Sequence, residues 1–167
     1  MNEAGLTHGG FYRHFGGKDE LYAEAVRQFL CKKTPAAWQK RKPKTTAKPH
    51  ALRVADAYFS REHFDDHDGC CPLIGMTVQR GGATAKAAYE EVVVQLVKVF
   101  EKHLDQPARD RARKTARDRA RERTREKALA LSALCVGGMV LARNVGDPRL
   151  ADDLRRAAHA AVLETLR

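Results

Sequence analysis

Residues 4–21 read Ala4-Gly5-Leu6-Thr7-His8-Gly9-Gly10-Phe11-Tyr12-Arg13-His14-Phe15-Gly16-Gly17-Lys18-Asp19-Glu20-Leu21, and the punctuation of this stretch decides the fold. What precedes it looks like the end of a helix that turns at Ala4-Gly5-Leu6. Thr7 predicts a restart, because a threonine hydroxyl ahead of a helix accepts a backbone N–H one turn on. Gly16-Gly17 stops that helix after Phe15, and Lys18-Asp19-Glu20 opens another that runs through Leu21, Ala25 and Phe29. A short helix, a glycine turn and a longer helix are therefore expected. Gly9 and Gly10 lower helix propensity but let the backbone come close to a partner.

Working outward, Thr34 to Pro49 holds three prolines among Lys, Thr and Ala, which argues against a continuous helix and for a flexible connection. From Ala51 to Phe64 the apolar residues Leu52, Val54, Ala55, Tyr58 and Phe59 recur at helical spacing, and an acidic loop, Asp65 to Gly69, ends the segment. A further helix is expected to include Leu73 to Gln79. After Gly81-Gly82, the stretch Ala83 to Leu104 carries Ala88, Val92, Leu96, Val99 and Phe100 on one stripe, and Gln106-Pro107 closes it. Residues 109–127 are low-complexity Arg, Ala and acid, read as a solvated helix or a frayed insertion, with pairs such as Asp110 and Lys114 giving modest support. Ala128 to Asn144 is apolar nearly all round and predicts a buried helix, Gly146-Asp147-Pro148 a turn, and Leu150 to Leu166 a last amphipathic helix. No strand pattern occurs, so the fold class is all-α.

The chain has 167 residues, 43% of them hydrophobic and 31% charged, which is globular composition. Its formal charge of +10 is concentrated in two tracts: residues 31–49 carry +7 and residues 109–127 carry +6, leaving the remainder at −3. Such tracts attract phosphate or other acidic partners whatever their sequence. The longest apolar run, Ala128 to Ala142, falls short of the roughly 20 residues that span a bilayer, so no membrane partner is expected. Cys31, Cys70, Cys71 and Cys135 lack the paired spacing of zinc sites and follow no signal-like segment, as expected of reduced thiols in a cytoplasmic protein. No nucleophile stands with a base and an orienting group, and Gly81-Gly82 precedes no Lys-Ser or Lys-Thr, so neither an enzyme nor a cofactor is expected.

The stretch 4–21 resembles the second half of the helix-turn-helix of TetR-type transcriptional regulators, including the short recognition helix, its Phe-Tyr-x-His-Phe ending and the Lys-Asp-Glu-Leu that starts the connecting helix. A recognition helix reads base edges with its N-terminal residues while its flanks hold phosphates. The resemblance implies that Thr7, His8, Gly9 and Gly10 face the major groove, that Tyr12 donates to a phosphate with His14 beside it, and that Lys18 pairs another phosphate. Phe11 and Phe15 are expected in the core. The chain begins three residues ahead of the turn, so the reading is a truncated helix-turn-helix head over residues 1–30, with a start codon placed too late favoured over a trimmed chain or a degenerate gene. A basic connection over 31–49 and a helical effector-binding and dimerisation domain over 50–167 follow.

Beyond the head, Cys71-Pro72-Leu73, the helix 83–104 and the run from Ala128 through Val145 fit the family more loosely. The resemblance implies a homodimer paired through the last two helices, with Ala133, Gly137, Leu141, Leu154, Ala158 and Ala161 at the interface. It also implies a small-molecule effector among the middle helices, with Tyr58, Phe59, Phe64, Met76, Leu96, Phe100, Leu134 and Met139 lining its pocket. Helical spacing alone does not separate such a pocket from an ordinary core. The implied function is a repressor that binds palindromic operator DNA and is released by its effector. A headless helical dimerisation module is the alternative. Cys70 and Cys71 read as incidental thiols rather than sensors, the cluster His63, Asp65, Asp66, His67 and Asp68 as a solvated loop rather than a metal site, and the tract 109–127 as a solvated face rather than a DNA clamp.

Overall fold

A computed structural model describes residues 8–29, 48–66, 71–75, 81–105 and 114–167 of the chain. Eight helices are present among them: α1 (His8–His14), α2 (Lys18–Gln28), α3 (His50–Tyr58), α4 (Arg61–Asp65), α5 (Pro72–Gly75), α6 (Ala83–Leu104), α7 (Lys114–Asn144) and α8 (Pro148–Thr165). No strand occurs among the described residues, as the periodicity requires. None of these helices is long and apolar enough to cross a membrane.

The helix boundaries follow local chemistry. Glu20, in the first turn of α2, reaches back to accept the Gly16 backbone N–H at 2.6 Å, satisfying a donor outside the helix as a capping box does. Asp147 accepts the Arg149 N–H at 2.9 Å ahead of α8, and Pro148 fills the first position, where no N–H is needed. The single helix expected over 51–64 is instead two. The Ser60 hydroxyl donates to Ala57 O at 2.8 Å and accepts the His63 N–H at 3.1 Å. That residue both closes α3 and caps α4, a competition with the backbone that serine is well suited to win.

The core is one cluster drawn from nearly every helix. Tyr22, Ala23 and Val26 of α2 lie in it with Val54, Ala55 and Tyr58 of α3, Ala88, Val92, Leu96 and Phe100 of α6, and Leu131, Cys135 and Met139 of α7. The long helix of the head is thereby packed into the larger domain: α2 lies along α6, and α7 lies between α6 and α8. Burial pushes the Cys135 thiol up to about 12, so it remains a neutral, inert filler. The Tyr58 hydroxyl, also raised by burial, lies against the Cys71 thiol.

Helices α7 and α8 also hold the ends of α3 and α4. Arg155 donates to Phe59 O at 2.5 Å, and Arg143 donates to His63 O and, at 3.0 Å, to Asp66 O. These cations satisfy the carbonyls that a helix C-terminus leaves open. His63 Nδ1 bonds Tyr58 O at 2.6 Å in the same joint. Burial holds the His63 imidazole below its ordinary 6.5, with the Arg143 cation adding to this and the bond to Tyr58 O opposing it. A histidine depressed in the fold takes up its proton first in the unfolded chain. Its stabilising contribution is therefore complete above pH 6.5 and is lost as pH falls through the lower folded value. Thermal melts between pH 7.5 and 5.5 should show the midpoint falling with pH, and falling less in His63→Gln. Parallel curves for the two proteins would exclude this account. His50, depressed by burial and by Arg53 and Lys102, acts in the same direction and retains part of the slope in that variant.

The apolar run of α7 is not buried all round. Ala128, Leu131, Ser132, Cys135, Met139 and Ala142 face the core, whereas Leu129, Leu134 and Leu141 stand exposed on the outer face. Nothing lies within 4 Å of a Cβ built on Gly137, while one built on Gly138 comes 2.5 Å from Ala158 Cβ. Adjacent glycines thus serve opposite faces. Over residues 115–127 no side chain is fully buried. Arg117, Arg121 and Arg125 form one stripe at four-residue spacing, Asp118, Glu122 and Glu126 a second, and Arg119, Arg123 and Lys127 a third. The solvated-helix reading of this tract holds for 115–127, and the helix is continuous with the apolar segment after it. Residues 109–113 lie outside the described residues.

Candidate nucleic-acid interface

Helix α1 and the first turn of α2 form a corner. Phe11 and Phe15, both partly buried, stack at 5.6 Å between centroids, and Phe11 meets Tyr12 edge-on at 5.1 Å. This small aromatic cluster fixes the inner side of α1. The opposite side presents Tyr12 at 58% exposure, with Arg13 and His14 also exposed. The chain bends at Gly16-Gly17, and Lys18 emerges exposed from the first position of α2. Tyrosine hydroxyl, imidazole, guanidinium and ammonium are thus displayed around one turn, a donor set suited to phosphate oxygens.

The residues expected to face the groove are placed as follows. His8 and Gly9 open α1, Gly10 is half-buried one position on, and Thr7 lies outside the described residues. Tyr12, His14 and Lys18 are each exposed. Arg13 was absent from the expected set, although its place between Tyr12 and His14 in a short helix was the signal that could have found it. The reading also missed Asp19, whose carboxylate accepts the Gly82 N–H at 2.7 Å. A Cβ on Gly82 would run into that carboxylate oxygen. Nothing in the local pattern around Asp19 or Gly82 announces a contact between residues so far apart in the chain.

The family model described as bacterial regulatory proteins, tetR family, matches residues 1–25. That segment is similar to the DNA-binding head of the TetR family. No curated protein matches it. The matched segment covers α1, the Gly16-Gly17 turn and the opening turns of α2, so the exposed donors all fall inside the TetR-family match. Beyond the matched segment, the regular structure of the described residues is helical throughout.

The pocket candidates divide into two groups. Tyr58, Phe59, Leu96, Phe100 and Met139 are almost wholly buried in one cluster, with Phe64 partly buried against it. Leu134 is instead 37% exposed, five residues from Met139 and so about 140° away around α7. Its side chain belongs to the outer face and not to that cluster. Met76 lies outside the described residues. Of the interface candidates, Ala133, Leu141 and Ala161 are exposed and Gly137 and Leu154 half-buried, whereas Ala158 is buried against Gly138 within the chain. Among the described residues no group of His, Cys, Asp or Glu is arranged to hold a metal ion.

Proposed function

We propose that the chain is an effector-responsive repressor that binds palindromic operator DNA as a homodimer. The carrying observation is the exposure of Tyr12, Arg13, His14 and Lys18 around the turn between α1 and α2, within the segment matched by the tetR family model. His8, Gly9 and Gly10, with Thr7 before them, enter the major groove and read base edges, while Tyr12, His14 and Lys18 hold phosphates. The outer face of α7 and α8, with Ala133, Gly137, Leu141, Leu154 and Ala161, meets its copy in a second chain. The effector binds among Tyr58, Phe59, Phe64, Leu96, Phe100 and Met139. It favours a spacing of the two heads that no longer matches successive major grooves, so operator affinity falls by a population shift.

Selection of duplexes from a random pool by the full chain tests this reading. A palindromic consensus is expected. Against the selected duplex, Tyr12→Phe and Lys18→Ala each weaken binding by about tenfold, the size of a lost charge-assisted hydrogen bond. They do so for every sequence, and Lys18→Ala reduces the salt slope by about one. His8→Ala changes sequence preference instead. Recovery of no preferred duplex, or unchanged affinity in Tyr12→Phe and Lys18→Ala, overturns the proposal. The former outcome leaves a helical self-association module.

A further inference from the structure

The last turns of α6 and the arginine-rich turns of α7 face each other across a cleft of about 540 Å³. That is within the roughly 300–1,000 Å³ typical of small-molecule sites. Lys98, Glu101 and Lys102 line it from α6, Asp105 from the cap of that helix, and Arg121 and Arg125 from α7. Arg125 is committed to Glu101 at 2.9 Å. Lys98, Lys102 and Arg121 have no carboxylate partner among the described residues. Lys98 and Lys102 stand one helical turn apart, with Arg121 on the opposing helix, so three uncommitted cations converge from two sides. The Asp105 carboxylate, exposed at the mouth, can accept hydroxyl donors but repels phosphate.

We propose that this cleft binds a small phosphorylated ligand that also carries sugar hydroxyls, a nucleotide or a sugar phosphate. Its phosphate oxygens lie on Lys98, Lys102 and Arg121, and its hydroxyls on Asp105. Guanidinium and ammonium groups are the usual phosphate donors in proteins, and a carboxylate among them selects a ligand with donors as well as charge. A duplex is a poorer occupant. Nineteen residues of sequence separate Gly82, which touches the head, from Glu101 at the cleft, about 28 Å at 1.5 Å per residue. The site thus stands at the far end of the domain from the DNA-facing corner. The outward stripe Arg119, Arg123 and Lys127 that a duplex backbone would meet runs beside Asp118, Glu122 and Glu126. Bound ligand ties α7 to α6 where no side chain between 115 and 127 is fully buried, and so stabilises that half of the helix.

Isothermal titration of the full chain at low salt, with ADP, ribose 5-phosphate, tripolyphosphate and a random-sequence duplex as probes, tests the site. ADP or ribose 5-phosphate is expected to bind, and which of the two is tighter distinguishes nucleotide from sugar phosphate. Lys98→Gln and Arg121→Gln should each weaken that binding by about tenfold or more, and Asp105→Asn should weaken it while tightening tripolyphosphate, which loses a repelling charge. Arg119→Gln and Arg123→Gln, outside the cleft, should change it less than about twofold. All five are surface changes that leave the core intact. The proposal fails if neither ADP nor ribose 5-phosphate binds, if the outer arginines matter as much as the cleft cations, or if Lys98→Gln and Arg121→Gln weaken duplex binding as much as they weaken binding of the small ligand.

Discussion

Gly138→Val should lower the stability of the chain by about 3 kcal/mol, at the upper end of what overpacking a tight interior contact costs. A Cβ at this position lies 2.5 Å from Ala158 Cβ and 3.4 Å from the Phe59 ring. Carbon atoms rest at about 3.5–4.0 Å, and neither neighbour is the end of a flexible side chain. Relief requires α8 to move away from α7, which would pull Arg155 off Phe59 O and open the joint with α3. The helical gain from removing a glycine, under about 1 kcal/mol, does not offset this. Gly137→Val supplies the control, since nothing lies within 4 Å of its Cβ. It should leave the unfolding free energy of the isolated chain unchanged or slightly raised. Urea unfolding of both variants, at concentrations too low for association, decides the matter. Equal midpoints for the two would show that the α7–α8 contact is not the close one described.

The second large effect concerns the outer face of α7. Leu141 is 57% exposed in the single chain, so Leu141→Glu should fold as well as the parent. In the proposed dimer the same residue is covered by the partner. The variant then loses about 2 kcal/mol of apolar burial and leaves a carboxylate in an apolar interface. The dimer dissociation constant should rise by about a hundredfold or more. Sedimentation equilibrium reads this directly, and affinity for a palindromic duplex should fall while affinity for one half-site stays the same. A parent chain that is monomeric at all concentrations, or a variant that associates as well as the parent, would sink the proposed interface.

The fold was legible where apolar residues recur over several turns. The helix over 83–104 is read correctly to both ends because Gly81-Gly82 and Gln106-Pro107 bracket a clear stripe. The break after Phe59 was not, because Ser60 acts as a cap only through its paired bonds to Ala57 and His63, and a lone serine in a helical pattern says little. The run 128–144 carried too many apolar residues to reveal which face stays open. That depends on where α6 and α8 pack. At the head, the order of unusual residues pointed to the short helix and turn, and Tyr12, His14 and Lys18 are each exposed there. The cleft between α6 and α7 was hidden for the opposite reason. Its cations lie in segments separated by masking charge repeats, and only the antiparallel packing of the two helices brings Lys98 and Arg121 together.

Helix α6 is held at both extremities by polar contacts to other parts of the chain, Gly82 to Asp19 at one end and Glu101 to Arg125 at the other. The helix has 22 residues and is about 33 Å long, so these contacts tie together two distant parts of the chain. A tilt of roughly 4° about its midpoint carries each end by about 1 Å, in opposite directions. A ligand that draws Lys98 and Lys102 towards α7 would swing Gly82 the other way, and the carboxylate of Asp19 with it. Asp19 follows Lys18 directly, so in the proposed regulator a ligand in the cleft would bias the angle at which the head meets a phosphate backbone.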